Sequence, residues 1–258
     1  MNDPRPLTHR LMARLCLAAL HTARSIAELV SPRFCLVCDQ RLSHDERGVC
    51  ARCDITLPRR GDMLTTGDND ITRLFYGIVP IERAAALFVY GSCKELDGII
   101  HAAKYGNRPD IAEECGMMMA HEYARCGFFE GIDMIVPLPL HKNRLRKRGY
   151  NQSRLLAEGI STVTGIPIAD DAVTRVRDTA TQADMPHDQR LANMRGAFAL
   201  DNAARLKGRH ILVVDDVVTT GATMRECCLQ LAKAQDVRIS ILALARPILS
   251  EETFEGIV

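Results

Sequence analysis

The sequence has no surplus of charge, no long apolar run, no internal repeat and no low-complexity tract. Lysine and arginine total 33 against 32 acids, a formal net charge of +1. No global basic field therefore draws the chain to nucleic acid, and such binding would need a local patch. No stretch reaches the roughly 18 apolar residues of a helical membrane span. The ten cysteines show no disulfide framework: four cluster, and Cys16, Cys93, Cys115, Cys126, Cys227 and Cys228 are scattered. That is the usage of a reducing compartment, so a cytoplasmic location is expected and the clustered thiols point to a metal. What remains is an ordinary globular composition, 47% hydrophobic and 25% charged over 258 residues. It is enough for one sizeable domain with a small appendage.

The most informative stretch is Arg209 to Met224, RHILVVDDVVTTGATM. The apolar run Ile211–Val214 ends in two acids, Asp215 and Asp216, and reads as a strand buried on both faces. Beyond the small-residue turn Thr219-Thr220-Gly221-Ala222-Thr223, Met224, Cys227, Cys228 and Leu231 mark one face of a helix. A helix N-terminus offers N–H groups and a partial positive charge to a phosphate. Thr219, Thr220 and Thr223 add hydroxyl donors, and Gly221 lets the backbone approach closely. The acids repel phosphate and suit hydroxyls or a metal on the same ligand. The pattern asks for a phosphorylated sugar; the bland alternative is a strand-to-helix loop with Asp216 as a capping acid.

A second strand-loop-helix unit starts at IDMIVPLPL, 132–140. Five of the seven residues from Lys142 to Arg148 are Lys or Arg. A helix follows, with Gln152, Leu155, Leu156, Gly159, Ile160 and Val163 on one face. Such a run is either a solvated face or an anion site. Its place at the carboxyl end of a sheet strand favours the anion site. Arg144, Arg148, Gly149 and Asn151 are the candidate pyrophosphate residues. The rest of the run could follow a nucleic-acid backbone, with Tyr150 as a stacking ring.

Elsewhere, residues 1–32 carry a basic amphipathic helical pattern without a convincing signal-cleavage site, suited to packing on protein or to a membrane surface. Residues 33–58 contain Cys35-x2-Cys38, eleven intervening residues, and Cys50-x2-Cys53. Two CxxC knuckles suit one tetrahedral structural zinc, with no open position for catalysis; His44 is a spare potential ligand. The disulfide alternative conflicts with the compartment, and neither CxxC has a redox motif's strand-to-helix setting. Residues 59–80, rich in Gly, Asp and Pro, read as a linker to a domain over 81–258. A strand is expected at 82–90, with helices near 93–104 and 110–126. Lys104 and Arg108, flanking the turn between them, face an anion or solvent with equal support. The polar excursion over 175–200 suits a lid, and VRISILA at 237–243 a last strand.

The Asp215–Thr223 stretch closely resembles the phosphoribosyl-pyrophosphate loop of type I phosphoribosyltransferases. In order, the four-cysteine ribbon, AAKYGN, VPLPLHKNRLRKRGYNQSRLLA, TQADMPHDQRLANMRGAF and ILVVDDVVTTGATM resemble the ComF family of competence-associated phosphoribosyltransferase-like proteins. The resemblance implies an α/β fold: a type I phosphoribosyltransferase-like (Rossmann-like) parallel sheet with helices on both faces, preceded by a zinc ribbon and an N-terminal helix. It implies that Asp215 and Asp216 hold ribose hydroxyls and that Thr219, Thr220, Gly221, Ala222 and Thr223 hold the 5′-phosphate. It further implies that Arg148 and its neighbours face pyrophosphate, that Mg²⁺ accompanies the ligand, and that Thr181 to Asn193 lies near a flexible hood. Two functions are expected from it. One is binding of phosphoribosyl pyrophosphate, with phosphoribosyl transfer to an unknown acceptor open to it, in a role near DNA uptake; no residue stands out as a general base. The other is a non-catalytic role beside single-stranded DNA or a helicase-like partner in DNA uptake.

Overall fold

The computed structural model of the chain describes residues 32–43, 46, 48–60, 67–91, 93–105, 108–178 and 194–247. The helix expected over 1–32, His44, the segment Thr181 to Asn193 and the tail beyond 247 lie outside the described residues. The chain divides into two compact units, Met1–Asp54 and Ile55–Val258.

The first unit is built on turns and thiols. Phe34 bridges Arg41 antiparallel, the Leu36 N–H donates to the Gly48 carbonyl (2.9 Å), and helix α1 (Ala51–Thr56) starts between Cys50 and Cys53. The apolar residues it buries are few, and Cys35, Cys50 and Cys53 are among them. So small a core does not fold a module by itself.

The second unit is centred on a four-stranded, wholly parallel sheet in the order β1–β6–β5–β2. Its strands are β1 (Arg83–Tyr90), β2 (Met134–Pro137), β5 (His210–Val217) and β6 (Arg238–Pro247). Between them run α2 (Lys94–Tyr105), α3 (Pro109–Ala124), α4 (Lys142–Arg148), α5 (Gln152–Thr164), α6 (Ala203–Leu206) and α7 (Ala222–Leu231). A separate antiparallel pair, β3 (Val173–Arg175) and β4 (Phe198–Leu200), flanks the segment 179–193. The apolar strands are those of a sheet covered on both faces, and Ile211 to Val214 are fully buried.

Helices α3 and α5 meet at two glycines. A Cβ on Gly116 would stand 2.2 Å from the Leu156 carbonyl oxygen, and one on Gly159 2.1 Å from that of Glu113. Only glycine permits this approach, which fixes α5 and the residues at its start.

Three expectations differ from the observed chain. The sheet ladder does not stop at the acids: Asp215 pairs with Ala243 and Val217 with Ala245, because the longer β6 continues beside them. The basic run 142–148 is a helix rather than a loop, N-capped by His141 and closed by Gly149 at φ 85°. The described parts of the segment expected to be a linker are packed: Pro58 to Arg60 run beside β1, and Ile71, Leu74, Phe75 and Val79 lie in the sheet's core cluster. Asn69 explains this order. It donates to the Ala84 carbonyl (2.7 Å) and accepts from the Ile71 and Thr72 N–H groups, which starts the short 3-10 helix Thr72–Phe75.

Candidate functional site

Parallel sheets bind ligands beyond the carboxyl ends of their strands. At the ends of the adjacent strands β2 and β5 lies an open cavity of about 320 Å³. Asp215, Asp216, Thr219 and Thr223 line it from one side, and Arg144, Arg148, Asn151, Gln152 and Ser153 from the other. Tyr90, Lys104, Arg175, Val217 and the stretch Leu138-Pro139-Leu140 complete the lining. A smaller cavity of about 40 Å³ sits within the turn itself, lined by Thr219, Thr220, Gly221, Ala222 and Thr223 together with Asp215.

The two acids differ. The Ser153 hydroxyl donates to Asp215 Oδ1 (2.9 Å). Burial, with the neighbouring Asp216 charge second, pushes the Asp215 carboxyl up to about 7 against the pull of Ser153 and Lys104. Asp216 Oδ1 accepts from the Val217 N–H (2.7 Å). Its other oxygen is buried and accepts no hydrogen bond, with Lys104 Nζ at 3.3 Å. A buried carboxylate oxygen that is ion-paired but accepts no hydrogen bond, at a cavity, suits a hydroxyl donor or a hard cation.

The turn after β5 offers mainly backbone. Gly221 N-caps α7 at φ 72° without a side chain of its own; the Ala222 N–H reaches Thr220 Oγ1 (3.4 Å), and the partial positive charge of the helix start lies beside the small cavity. Of the turn residues, Thr219 and Thr223 reach both cavities, whereas Thr220, Gly221 and Ala222 belong to the smaller one.

The opposite wall is made of long side chains. His141 Nδ1 accepts from the Asn143 N–H (3.3 Å), and the Asn143 amide donates to Asp178 (2.7 Å). Asp178 also stands 3.8 Å from Arg144 Nε. The Asn143 hydrogen bond is the main cause of the lowered Asp178 carboxyl. Arg148 pairs with the Gln152 amide oxygen. Asn151 lines the cavity with both polar ends engaged: its Oδ1 accepts from the Ser153 N–H (3.2 Å) and its Nδ2 donates to the Leu138 carbonyl (3.0 Å). Lys142, Arg146 and Lys147 are exposed, away from the cavity lining. The Tyr150 hydroxyl donates to the Ala103 carbonyl (2.8 Å) and anchors the half-buried side chain at one end.

Sequence reasoning passed over Ser153 and Arg175. Ser153 had a weak signal, one residue inside a helix that opens beside a basic run. Arg175 stood among many polar residues; strand β3 buries it with its guanidinium 5.5 Å from the Phe198 ring centre. Of the pair left open, Lys104 reaches the site, whereas Arg108 is exposed and pairs with Asp110 (2.7 Å).

The thiols of Cys35, Cys38, Cys50 and Cys53 lie within 4.8 Å of one another. The Cys50 N–H donates to Cys35 Sγ (3.3 Å). Burial opposes ionisation of Cys35, but N–H groups from Cys38, Cys50 and Val37 outweigh it and bring the thiol down to about 7. Four converging soft donors, one already favoured as thiolate, fit a tetrahedral metal.

Sheet and cavity together define a phosphoribosyltransferase-type α/β protein, and comparison with known proteins agrees. The phosphoribosyl transferase domain family matches residues 150–252. The DNA utilization protein YhgH of Escherichia coli K12 is 31% identical over 230 residues, spanning 85% of this chain and 100% of that protein. Competence protein F of Haemophilus influenzae is 36% identical over 115 residues, 44% of this chain and 50% of that one. Competence protein ComFC of Bacillus subtilis is 32% identical over 108 residues, 40% and 41% of the respective chains. The chain belongs to the ComF family of phosphoribosyltransferase-fold proteins. No helix among the described residues is long and apolar enough to cross a membrane.

Proposed function

We propose that the cavity binds phosphoribosyl pyrophosphate. The observation that carries this reading is the convergence of Asp215, Asp216, Thr219 and Thr223 with Arg144 and Arg148 on one cavity. The 5′-phosphate sits in the turn Thr219–Thr223 against the start of α7. Asp215 and the Asp216 oxygen that accepts no hydrogen bond take the ribose hydroxyls. Arg144, Arg148 and Lys104 face the pyrophosphate. Mg²⁺ arriving with the ligand would supply positive charge to the pyrophosphate, with the Asp215 and Asp216 carboxylates as the groups able to hold it.

Such an arrangement suits phosphoribosyl transfer. An acceptor nucleophile bonds to the anomeric carbon, the carbon–oxygen bond to pyrophosphate breaks with its electron pair on the leaving oxygen, and the acceptor's proton passes to solvent. The residues contribute orientation and charge stabilisation. Calorimetric titration with phosphoribosyl pyrophosphate and Mg²⁺, followed by pyrophosphate release across a panel of bases and amines, is the test. Saturable binding with release supports the transferase. Binding without release under any acceptor leaves a ligand-binding protein, and no binding removes both.

A second reading rests on Lys142, Arg146 and Lys147, exposed outside the cavity lining, and on relatives named for DNA utilization and competence. In it the exposed cations follow a single-stranded DNA backbone, or the chain serves a helicase-like partner, in the cytoplasm. Single-strand affinity measured against salt, with those three residues changed to Ala, decides it. An unchanged slope takes them off the phosphates.

The four-thiol cluster is proposed to hold one structural zinc. Metal analysis should return one zinc per chain, and chelation should unfold this module while β1, β2, β5 and β6 keep their amide protection. Full folding of the module without metal would refute it.

A further inference from the structure

Arg246 is fully buried at the end of β6 and lines neither the larger nor the smaller cavity. Its guanidinium donates to the carbonyl oxygens of Thr219 (2.8 Å) and Val218 (3.3 Å). It also donates to the Asp70 carbonyl (3.1 Å) and pairs through Nε with the Asp70 carboxylate. Asp70 is held in turn by Arg60 Nη2 (2.7 Å). Four residues along the same segment, Leu74 abuts the turn: a Cβ on Gly221 would come within 2.9 Å of its Cδ1.

We propose that Arg246, anchored by Asp70, is a positioning residue that sets the peptide planes of the phosphate turn. A trans peptide is planar, so its carbonyl and its N–H point in opposite directions. Drawing the Val218 and Thr219 carbonyls onto Arg246 turns the N–H groups of Thr219 and Thr220 the other way. Thr219 and Thr220 line the small cavity, so these donors are set toward the anion before it arrives. The guanidinium's fixed fork suits the task, since Nη1 holds both turn carbonyls while Nε and Nη2 hold Asp70, a division of donors that a lysine ammonium matches poorly. The segment 67–80 is then a brace for the site.

The assignment of an anion to this turn rests on the proposed binding of phosphoribosyl pyrophosphate; the bracing of the turn does not. The test therefore has an arm without ligand. In the full chain, Asp70→Ala and Arg246→Lys should speed hydrogen exchange at the Thr219 and Thr220 amides and leave the central amides of β5 and β6 unchanged. In the ligand arm, ribose 5-phosphate affinity should fall about tenfold, the worth of one well-aligned charge-assisted hydrogen bond. Inorganic pyrophosphate affinity, set by Arg144 and Arg148, should change less than about twofold. Unchanged exchange in the turn, exchange faster throughout the sheet, or equal loss of both ligands would overturn the proposal. Should Arg246→Lys fail to fold, Asp70→Ala decides, because Asp70 keeps 27% side-chain exposure and its loss removes no core packing. If the unaltered chain binds neither ligand, the functional reading falls and the exchange arm still decides this one.

Discussion

The acidic turn from Asp215 to Thr223 and the basic segment from Lys142 to Ser153 face each other across one cavity, and they are built differently. The first works through backbone groups and short side chains at the end of a buried central strand. It is braced from behind by Arg246 and Asp70. The second works through long cations on a seven-residue helix with no buried residue of its own, held by His141, Asn143 and Asp178. The matched phosphoribosyl transferase domain, residues 150–252, contains the first wall and begins after Arg144 and Arg148. A backbone site tolerates little change at any position, whereas a side-chain site divides its work among residues that can be removed one at a time.

The largest effect is expected on the backbone wall. Gly221→Ala forces a side chain into φ 72° and drives its Cβ to 2.9 Å from Leu74 Cδ1. The left-handed conformation alone costs about 1–2 kcal/mol, and shifting the buried Leu74 adds to it. Thermal denaturation should fall by several degrees and ribose 5-phosphate binding by more than about tenfold. Wild-type affinity in this variant would mean that the turn adapts, and the contrast between the walls would break.

On the side-chain wall, Arg144→Ala and Arg148→Ala should each weaken pyrophosphate binding by about 1.5–3 kcal/mol, the range for hydrogen bonds to charged groups. Folding should change little. Changing Lys142, Arg146 and Lys147 together to Ala should leave pyrophosphate affinity within about twofold, because they are exposed and outside the lining. A triple variant as impaired as Arg148→Ala would show that the wall acts as a diffuse field.

A smaller effect separates stability from binding at the acids. The Asp215 carboxyl is raised to about 7, above its unfolded value of about 3.9. Between these values the folded chain holds the extra proton, so this group's contribution to stability falls as pH rises from about 4 to about 7 and is flat above. Asp215→Asn should therefore stabilise the protein at pH 8, by on the order of 1 kcal/mol after allowance for the water that reaches the cavity, and have no effect at pH 4. The same substitution should weaken phosphoribosyl pyrophosphate binding, and wild-type affinity should rise from pH 6 to pH 8 as the carboxylate forms. A flat melting profile in both proteins would show that the carboxylate is ionised throughout.

The two walls also differ in how far they could be read from the sequence. The acidic turn was legible as a strand-turn-helix unit because its parts are contiguous: strand, acids, small residues and helix follow one another within sixteen residues. Only its extent was misjudged, since pairing of Asp215 to Val217 depends on the distant β6. The basic run was legible as a cationic patch but not as a helix, and nothing local sorts Arg144 and Arg148, which line the cavity, from Lys142, Arg146 and Lys147. That choice is made by the helix period and by caps at His141 and Asn151. The brace was not legible at all. Asp70 sits in a stretch whose glycines and acids imitate a linker, and Arg246 pairs with it across 176 residues. Its one local trace is a lone cation closing the apolar run ILALAR.

The smallest effect tests the residue whose role changed most between sequence and structure. Tyr150 follows the basic run, so its composition suited a ring for stacking on a base. Instead its hydroxyl donates to the Ala103 carbonyl on α2 (2.8 Å), next to Lys104, which reaches Asp216. Tyr150→Phe keeps the ring and removes only the hydroxyl. A stacking role predicts unchanged stability, and unchanged single-strand binding if any exists. An anchoring role predicts a loss of about 0.5–1.5 kcal/mol in urea denaturation. It further predicts a small loss of phosphoribosyl pyrophosphate affinity through the loosened Lys104, larger at low salt than at high salt because a charge is involved. Stability and affinity that both match the unaltered chain would return Tyr150 to the role its place in the sequence suggested.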